Sequence, residues 1–311
     1  MISLRYHVVS IAAVFLAIAL GVVLGSTAVS ERLLSGLHRD NDSLTRQVED
    51  LQAERAAQRD RLTDADAFTA AVGPMAVRGQ LDQRTVAIVT TAEADPADRD
   101  AIAALVRQAG GTVTGQLQLT DAFTDGSRAD RLRELVTRLP AGVQLPTASD
   151  AGTLAGGLLG ALLLLDPATN QPQASADESA AALAGLVDGG FVRADDTVRP
   201  AQLAVVLTGG AITGDAAGDR AAMIARFATQ LDRSGAGTVL AGRTAAADGT
   251  GPVGVARVDT SITAVLSTVD GVQAPAGRVV TVLALREQLD GAAGRYGTAG
   301  NAQAVAPGIP A

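Results

Sequence analysis

Glycine carries the most site-like spacing in this sequence. The run Thr208-Gly209-Gly210-Ala211-Ile212-Thr213-Gly214 follows an apolar, β-branched stretch and precedes a helical one. A turn of that kind presents successive backbone N–H groups, which can cradle an anion at the start of the following helix. The spacing matches neither the dinucleotide fingerprint nor the phosphate-binding P-loop. Gly209, Gly210 and Gly214 therefore stand as candidate cofactor-binding positions beside a plainer use of glycine, backbone freedom at a sheet edge. A second cluster is Glu93, Asp95, Asp98 and Asp100, around the start of a helical stretch. Carboxylates there complement the helix dipole, and they are also the oxygen donors a hard cation takes, although no cation-loop signature accompanies them.

Several chemistries are excluded by residue type. The chain has no cysteine, which removes disulfides, thiolate nucleophiles and thiolate metal sites, and all 25 of its basic side chains are arginine, which removes Schiff-base chemistry. Its two histidines, His7 and His38, both precede the main body of the chain, so no Ser-His-Asp arrangement can form within that body. Soft metals select thiolate, thioether and imidazole, of which only Met1, Met75, Met223 and the two histidines remain. Only carboxylate, hydroxyl or metal-assisted catalysis is left, and the expectation is that the protein is not an enzyme and carries no resident cofactor. With 33 acidic against 25 basic residues and no concentrated arginine patch, nucleic acid is not an expected partner.

The elements that would position these residues alternate. An apolar fraction of 47% lets a chain of 311 residues bury one large or two small cores. Thr85 to Thr90 reads as a buried strand, Pro96 to Gln108 as a helix with proline near its first turn, and Thr112 to Leu119 as the next strand. Further helices are expected at Arg128 to Arg138, Asp150 to Leu165, Asp177 to Asp188 and Asp219 to Arg233. Strands are expected at Leu203 to Thr208, Thr238 to Ala241 and Ala264 to Ser267. Strand and helix in alternation imply an α/β domain over residues 80–290, a mostly parallel, Rossmann-like sheet flanked by helices. The low-complexity stretch within 166–177 divides it into two possible halves, and residues 291–311 read as a disordered tail. Gly152, Gly156 and Gly160 recur every fourth residue along one helix, which is too short for a confident membrane span and reads as a buried core helix.

The N-terminal end is organised differently. Residues 1–7 form a short cytoplasmic N-terminus, and Val8 to Leu24 carries no charge, long enough to cross a bilayer as a transmembrane helix or signal anchor over 8–25. Ser26 and Ala28 fit a small-residue cleavage pattern, the alternative to an anchor. Over residues 30–66 a heptad can be written with Leu34, Asn41, Val48, Arg55 and Leu62 at a, and Leu37, Leu44, Leu51, Gln58 and Ala65 at d. This reads as a coiled-coil stalk reaching about 55 Å, broken at Gly73-Pro74. Asn41 fixes register in a parallel dimer, and Glu54 at g attracts Arg59 at the following e. The alternative is a solvated amphipathic helix.

Five segments in order carry a family resemblance: MISLRYHVVSIAAVFLAIALGVVLGS, the heptad helix, VRGQLDQRTVAIVTT, DAGTLAGGLLGALLLL and STVDGVQAPAGRVVTVLALREQLDGAAGRYG. Together they resemble the actinobacterial copper transporter family. The resemblance implies an envelope protein of a high-GC Gram-positive bacterium, in copper efflux or copper homeostasis or as a pore in the outer envelope layer, with copper as the transported ion. It supplies no ligand set. The residues themselves favour a different role, a non-catalytic dimeric adaptor or scaffold presenting its domain to cell-envelope or division machinery. Both readings expect a single-pass membrane protein, mostly extracytoplasmic, that self-associates through its coiled coil and contacts other envelope proteins.

Overall fold

A computed structural model describes residues 4–138, 143–194 and 198–308, with the backbone alone at residues 4 and 26–40. It divides into two compact units, residues 1–65 and 66–311. The first unit is helical throughout its described residues, part of a 74-residue helix α1 spanning Leu4–Val77. Its stretch Arg5–Gly25, with a mean hydropathy of 2.8, is long and apolar enough to cross a membrane. Phe15, Leu16 and their neighbours there are exposed. The break expected at Gly73-Pro74 does not occur, and α1 runs three residues past the proline. Proline removes one helical hydrogen bond, but Val77 beyond it is fully buried, and this packing holds the last turn in place.

The second unit begins within α1 at Asp66, fourteen residues before the expected boundary at 80. Its elements are β1 (Thr85–Thr90), α2 (Pro96–Gln108), β2 (Thr112–Leu119), α3 (Asp121–Thr124), α4 (Ala129–Arg138), α5 (Ala151–Leu163) and α6 (Ala176–Asp188). There follow β3 (Val192–Ala194), β4 (Leu203–Leu207), α7 (Ala217–Arg233), β5 (Thr238–Ala241), α8 (Pro252–Val258), α9 (Thr260–Thr263), β6 (Ser267–Val269), α10 (Pro275–Leu289) and β7 (Arg295–Tyr296). The strands form one seven-stranded sheet in the order β3-β2-β1-β4-β5-β6-β7. All pairings are parallel except β2 with β3. Strands on both sides of residues 166–177 join this sheet, with β1 beside β4, so the stretch does not separate two cores.

Alternate residues of the central strands face opposite layers. Ala87, Val89, Ala204, Val206 and Leu240 share a core with α4, α5, α7 and α8. Val86, Val205, Leu207 and Val239 share one with the end of α1, α2 and α10. Helix α5 is buried over nearly its whole length, because its glycine ridge lets it lie directly on α7. A Cβ on Gly156 would sit 2.7 Å from the Phe227 carbonyl oxygen, and one on Gly152 2.7 Å from that of Met223. The ridge is thus a packing device inside the α/β unit.

Two expectations change in the last third of the chain. The strand expected at Ala264 to Ser267 begins only at Ser267, because Asp259 caps a short helix over Thr260–Thr263 and Ala264 closes it. The tail expected to be disordered from Gly291 instead contains β7, paired in parallel with β6. A buried ion pair holds it: Arg257 Nη1 donates to Asp270 Oδ2 at 2.8 Å and to Asn301 Oδ1 at 2.8 Å, while Nη2 donates to the Tyr296 carbonyl at 2.6 Å. Asp270 Oδ1 in turn accepts the Thr298 N–H at 2.9 Å. The Tyr296 hydroxyl reaches Glu287, and burial together with that carboxylate pushes the phenol above its usual range.

Breaking a buried ion pair from one side strands the other charge. Asp270→Ala is therefore expected to cost about 3–5 kcal/mol in urea denaturation of the detergent-solubilised chain and to open residues 295–308 to limited proteolysis. A second expectation concerns Asp232, at the end of α7, whose Oδ1 accepts the Thr238 N–H at 2.7 Å. Burial pushes its carboxyl up to about 7, against the opposing effect of that hydrogen bond. Because the folded-state value exceeds the unfolded one, its contribution to stability is complete in acid and is lost as pH rises from about 4 through about 7. Asp232→Asn, which keeps the acceptor, should gain stability relative to the parent across that window; parallel pH profiles would refute the assignment.

Candidate functional site

In an open α/β sheet ligands lie beyond the carboxyl ends of the strands, where the strand order reverses. That switch point here is between β1 and β4, the two strands from which the chain winds outward in opposite directions. The expected glycine run leaves β4 at this edge. The two strand ends are joined, the Thr91 N–H donating to the Leu207 carbonyl at 2.9 Å. Gly209 then passes so close to the β1–α2 loop that a Cβ would lie 2.5 Å from the Glu93 carbonyl oxygen, and its own carbonyl accepts the Arg243 N–H at 3.0 Å. Gly210 makes only an ordinary approach to Ala245, and Gly214 adopts a left-handed φ of 88°. Close packing and turn geometry thus account for Gly209 and Gly214. The following helix α7 starts from Ala216, itself left-handed, with no side-chain cap.

The acidic cluster stands across the same edge and is answered by arginines from distant segments. Asp95 caps α2 by accepting the Ala97 N–H at 2.8 Å. Asp98, almost fully buried, accepts Arg243 Nε at 2.8 Å and Arg278 Nη2 at 2.9 Å. Arg243 also pairs with Asp95, and its hydrogen bond with Asp98 holds its guanidinium even more firmly protonated. Arg278 Nε donates to the Val272 carbonyl at 2.7 Å. Glu93 meets Arg220 at 2.7 Å, and Asp100 meets Arg99 at 2.8 Å. These ion pairs link α2, the β5–α8 loop and α10 across the carboxyl ends of the strands. The sequence pointed to the acids but not to Arg220, Arg243 and Arg278, which share no local pattern with them. One polar atom at this edge, Thr91 Oγ1, is buried without a partner.

Candidate metal donors are dispersed. Met223 is buried on α7, Met75 is exposed on α1, and His7 lies within the apolar helix. Met1 lies outside the described residues, as does the side chain of His38. Among the described residues, no group of three or more His, Cys, Asp or Glu side chains stands together as a metal site.

The seam positions form a different kind of surface. Leu34 and Leu37 have side chains outside the described residues. Asn41, Leu44, Val48, Leu51 and Leu62 are all exposed, Leu44 to 60% and Leu62 to 67%. Apolar side chains repeated at heptad spacing on a solvent-facing helix form an unpartnered stripe.

An apolar N-terminal helix compatible with membrane anchoring, followed by an α/β unit with a mostly parallel sheet, defines the class of protein. Residues 1–307 match the family described as "Copper transport outer membrane protein, MctB". The chain is 41% identical over 311 residues to proteins named "Copper transporter MctB" from Mycobacterium tuberculosis and Mycobacterium bovis, covering 98% of this chain and 99% of each relative. It is 38% identical over 314 residues to the protein of that name from Mycobacterium leprae, with the same coverage. The chain belongs to the MctB family.

If Asp98 is the keystone of the strand edge, Asp98→Ala should destabilise the second unit by about 3 kcal/mol, since it leaves two guanidiniums without their shared acceptor. Gly210→Ala, by contrast, should stay within about 0.5 kcal/mol. Equal effects in urea denaturation would contradict this division of labour.

Proposed function

We propose that this protein is a membrane-anchored cell-envelope protein that acts in copper efflux or copper homeostasis, held by residues 5–25 with its N-terminus inside and its α/β unit on the far side of the membrane. Sequence identity of 41% across 98% of the chain to proteins named copper transporters carries the reading. The protein works without a catalytic centre of its own. Residues 66–311 contain no His, Cys or Lys, and their two methionines lie 148 positions apart, so soft ligands suited to Cu(I) are not gathered there. Copper is cargo rather than a resident cofactor, and an assembly or a partner contributes the path. The described strands are two to eight residues long and form one sheet with two edges, which argues against a barrel lumen built from them.

The chain acts as a parallel dimer joined through Leu34, Leu37, Asn41, Leu44, Val48, Leu51 and Leu62. The exposed stripe at the described seam positions supports this, because a second copy is the simplest cover for apolar side chains at heptad spacing. The same stripe favours a second reading, in which the dimer is a scaffold for envelope or division machinery and copper is an indirect consequence.

The two readings separate on metal. Deleting the gene should raise cell-associated copper, and restoring the intact chain should reverse it. Titration of the purified full chain with Cu(I) and Cu(II) then tests direct handling: the absence of binding tighter than about 10 μM, roughly −7 kcal/mol, excludes it. Unchanged cellular copper together with an envelope defect would leave only the scaffold reading.

A further inference from the structure

Within the second unit, one side of α1 is committed to the unit's own body. Gly73 and Val77 are buried there, and a Cβ on Gly73 would lie 2.6 Å from Val279 Cγ2 of α10. Two large apolar side chains of the same stretch are left exposed, Phe68 to 68% and Met75 to 59%. At 3.6 residues per turn these two lie within about 20° of each other and about 140–180° from Gly73 and Val77, so they point away from the unit's core.

The heptad of the stalk does not reach them unchanged. With Leu62 at a and Ala65 at d, the unbroken phase continues to Thr69, Val72 and Ala76. It also puts Gly73 at e, on the flank of the seam, where Val279 of the same chain already fills its side-chain direction. One step of three residues in place of four removes the conflict. Leu62, Ala65, Phe68, Val72 and Met75 then follow one another at spacings of 3, 3, 4 and 3. Such a step is a stammer, which two-stranded coils accommodate by overwinding locally. Beyond it Ala65 and Val72 occupy a positions and Phe68 and Met75 d positions, flanked by the small side chains of Ala71 at g and Ala76 at e. Gly73 moves to b and Val77 to f, both turned away from a second copy. The shifted phase thus places the exposed apolar residues on the seam and the buried ones outside it.

We infer that the dimer seam continues through Phe68, Val72 and Met75 after a phase shift at Ala65, each packing against its equivalent in a second copy of this chain. This rests on the self-association proposed above and specifies how that contact enters the second unit. Two-fold symmetry makes every seam residue meet itself, and each copy then carries its own α/β unit on the outer side of the coil.

The chain has no cysteine, so single cysteine substitutions report the seam directly. Two cysteines bridge only when their Cα atoms come within about 7 Å, which equivalent residues of a parallel dimer do at a and d but not at outer positions. In the full chain in detergent under mild oxidation, Leu51→Cys marks the stalk. Phe68→Cys and Met75→Cys are expected to give disulfide-linked dimer within about twofold of its yield, and Ala76→Cys at least about fivefold less. Val258→Cys, at a side chain 84% exposed on α8, should stay as low as Ala76→Cys. Phe68→Ala is expected to raise the dimer dissociation constant about tenfold in sedimentation across a dilution series. If Leu51→Cys cross-links while Phe68→Cys and Met75→Cys do not, the coil ends before the second unit, and this inference fails while the dimer stands. Cross-linking of Ala76→Cys in place of Met75→Cys restores the unbroken phase and overturns it as well. A chain that cross-links at none of these positions overturns both readings.

Discussion

A buried carboxylate has to be surrounded by donors, and Asp98 meets that condition with two guanidiniums from far along the chain. Arg243 arrives on the loop after β5 and Arg278 on α10, so one side chain in the first turn of α2 ties three elements together at the carboxyl edge of the sheet. A buried ion contributes only if its partners are in place, so these elements take up their positions together. The same arrangement occupies the edge that a doubly wound fold commonly uses for a nucleotide. Gly209, pressed against the Glu93 carbonyl, draws the neighbouring loop into the same closure.

A second buried pair does comparable work just beyond β6. Arg257 and Asp270 collect the Tyr296 carbonyl, the Thr298 N–H and Asn301, and so turn a stretch rich in glycine and alanine into an ordered strap bearing β7. Ordering such residues costs backbone entropy, which a fully satisfied and desolvated ion pair can offset. Two polar keystones thus complement a core with little aromatic surface, only 2% of the chain. Phe123 and Phe227 meet edge-on with ring centres 5.4 Å apart, and alanine and glycine close contacts elsewhere take the place of bulk.

Membership of the MctB family and the character of this α/β unit bear on each other. Ion pairs span the strand edge of this unit, and among its described residues no three His, Cys, Asp or Glu side chains stand together as a metal site. The apolar residues left exposed at Leu44, Val48, Leu51, Leu62, Phe68 and Met75 all belong to α1.

The sequence by itself determined what local pattern can encode. Seventeen uncharged residues from Val8 specify a helix long and apolar enough to cross a membrane, because each lost charge lowers the cost of entering lipid. The β-branched runs at β1, β4 and β5, the proline at the start of α2 and the heptad spacing of α1 were readable for similar reasons, since each is a short-range steric or periodic preference. Only the tertiary structure decided the rest. The antiparallel β3 and the two-residue β7 are too short to show periodicity and exist because neighbouring strands offer them partners. Pro74 did not end α1, since burial of Val77 outweighed a lost hydrogen bond. The arginines that answer Asp98 come from across the chain, and no spacing rule links residues 145 and 180 positions apart. Long-range electrostatic pairing is a property of the folded arrangement, and there Gly209 of the glycine run packs against Glu93 of the acidic cluster.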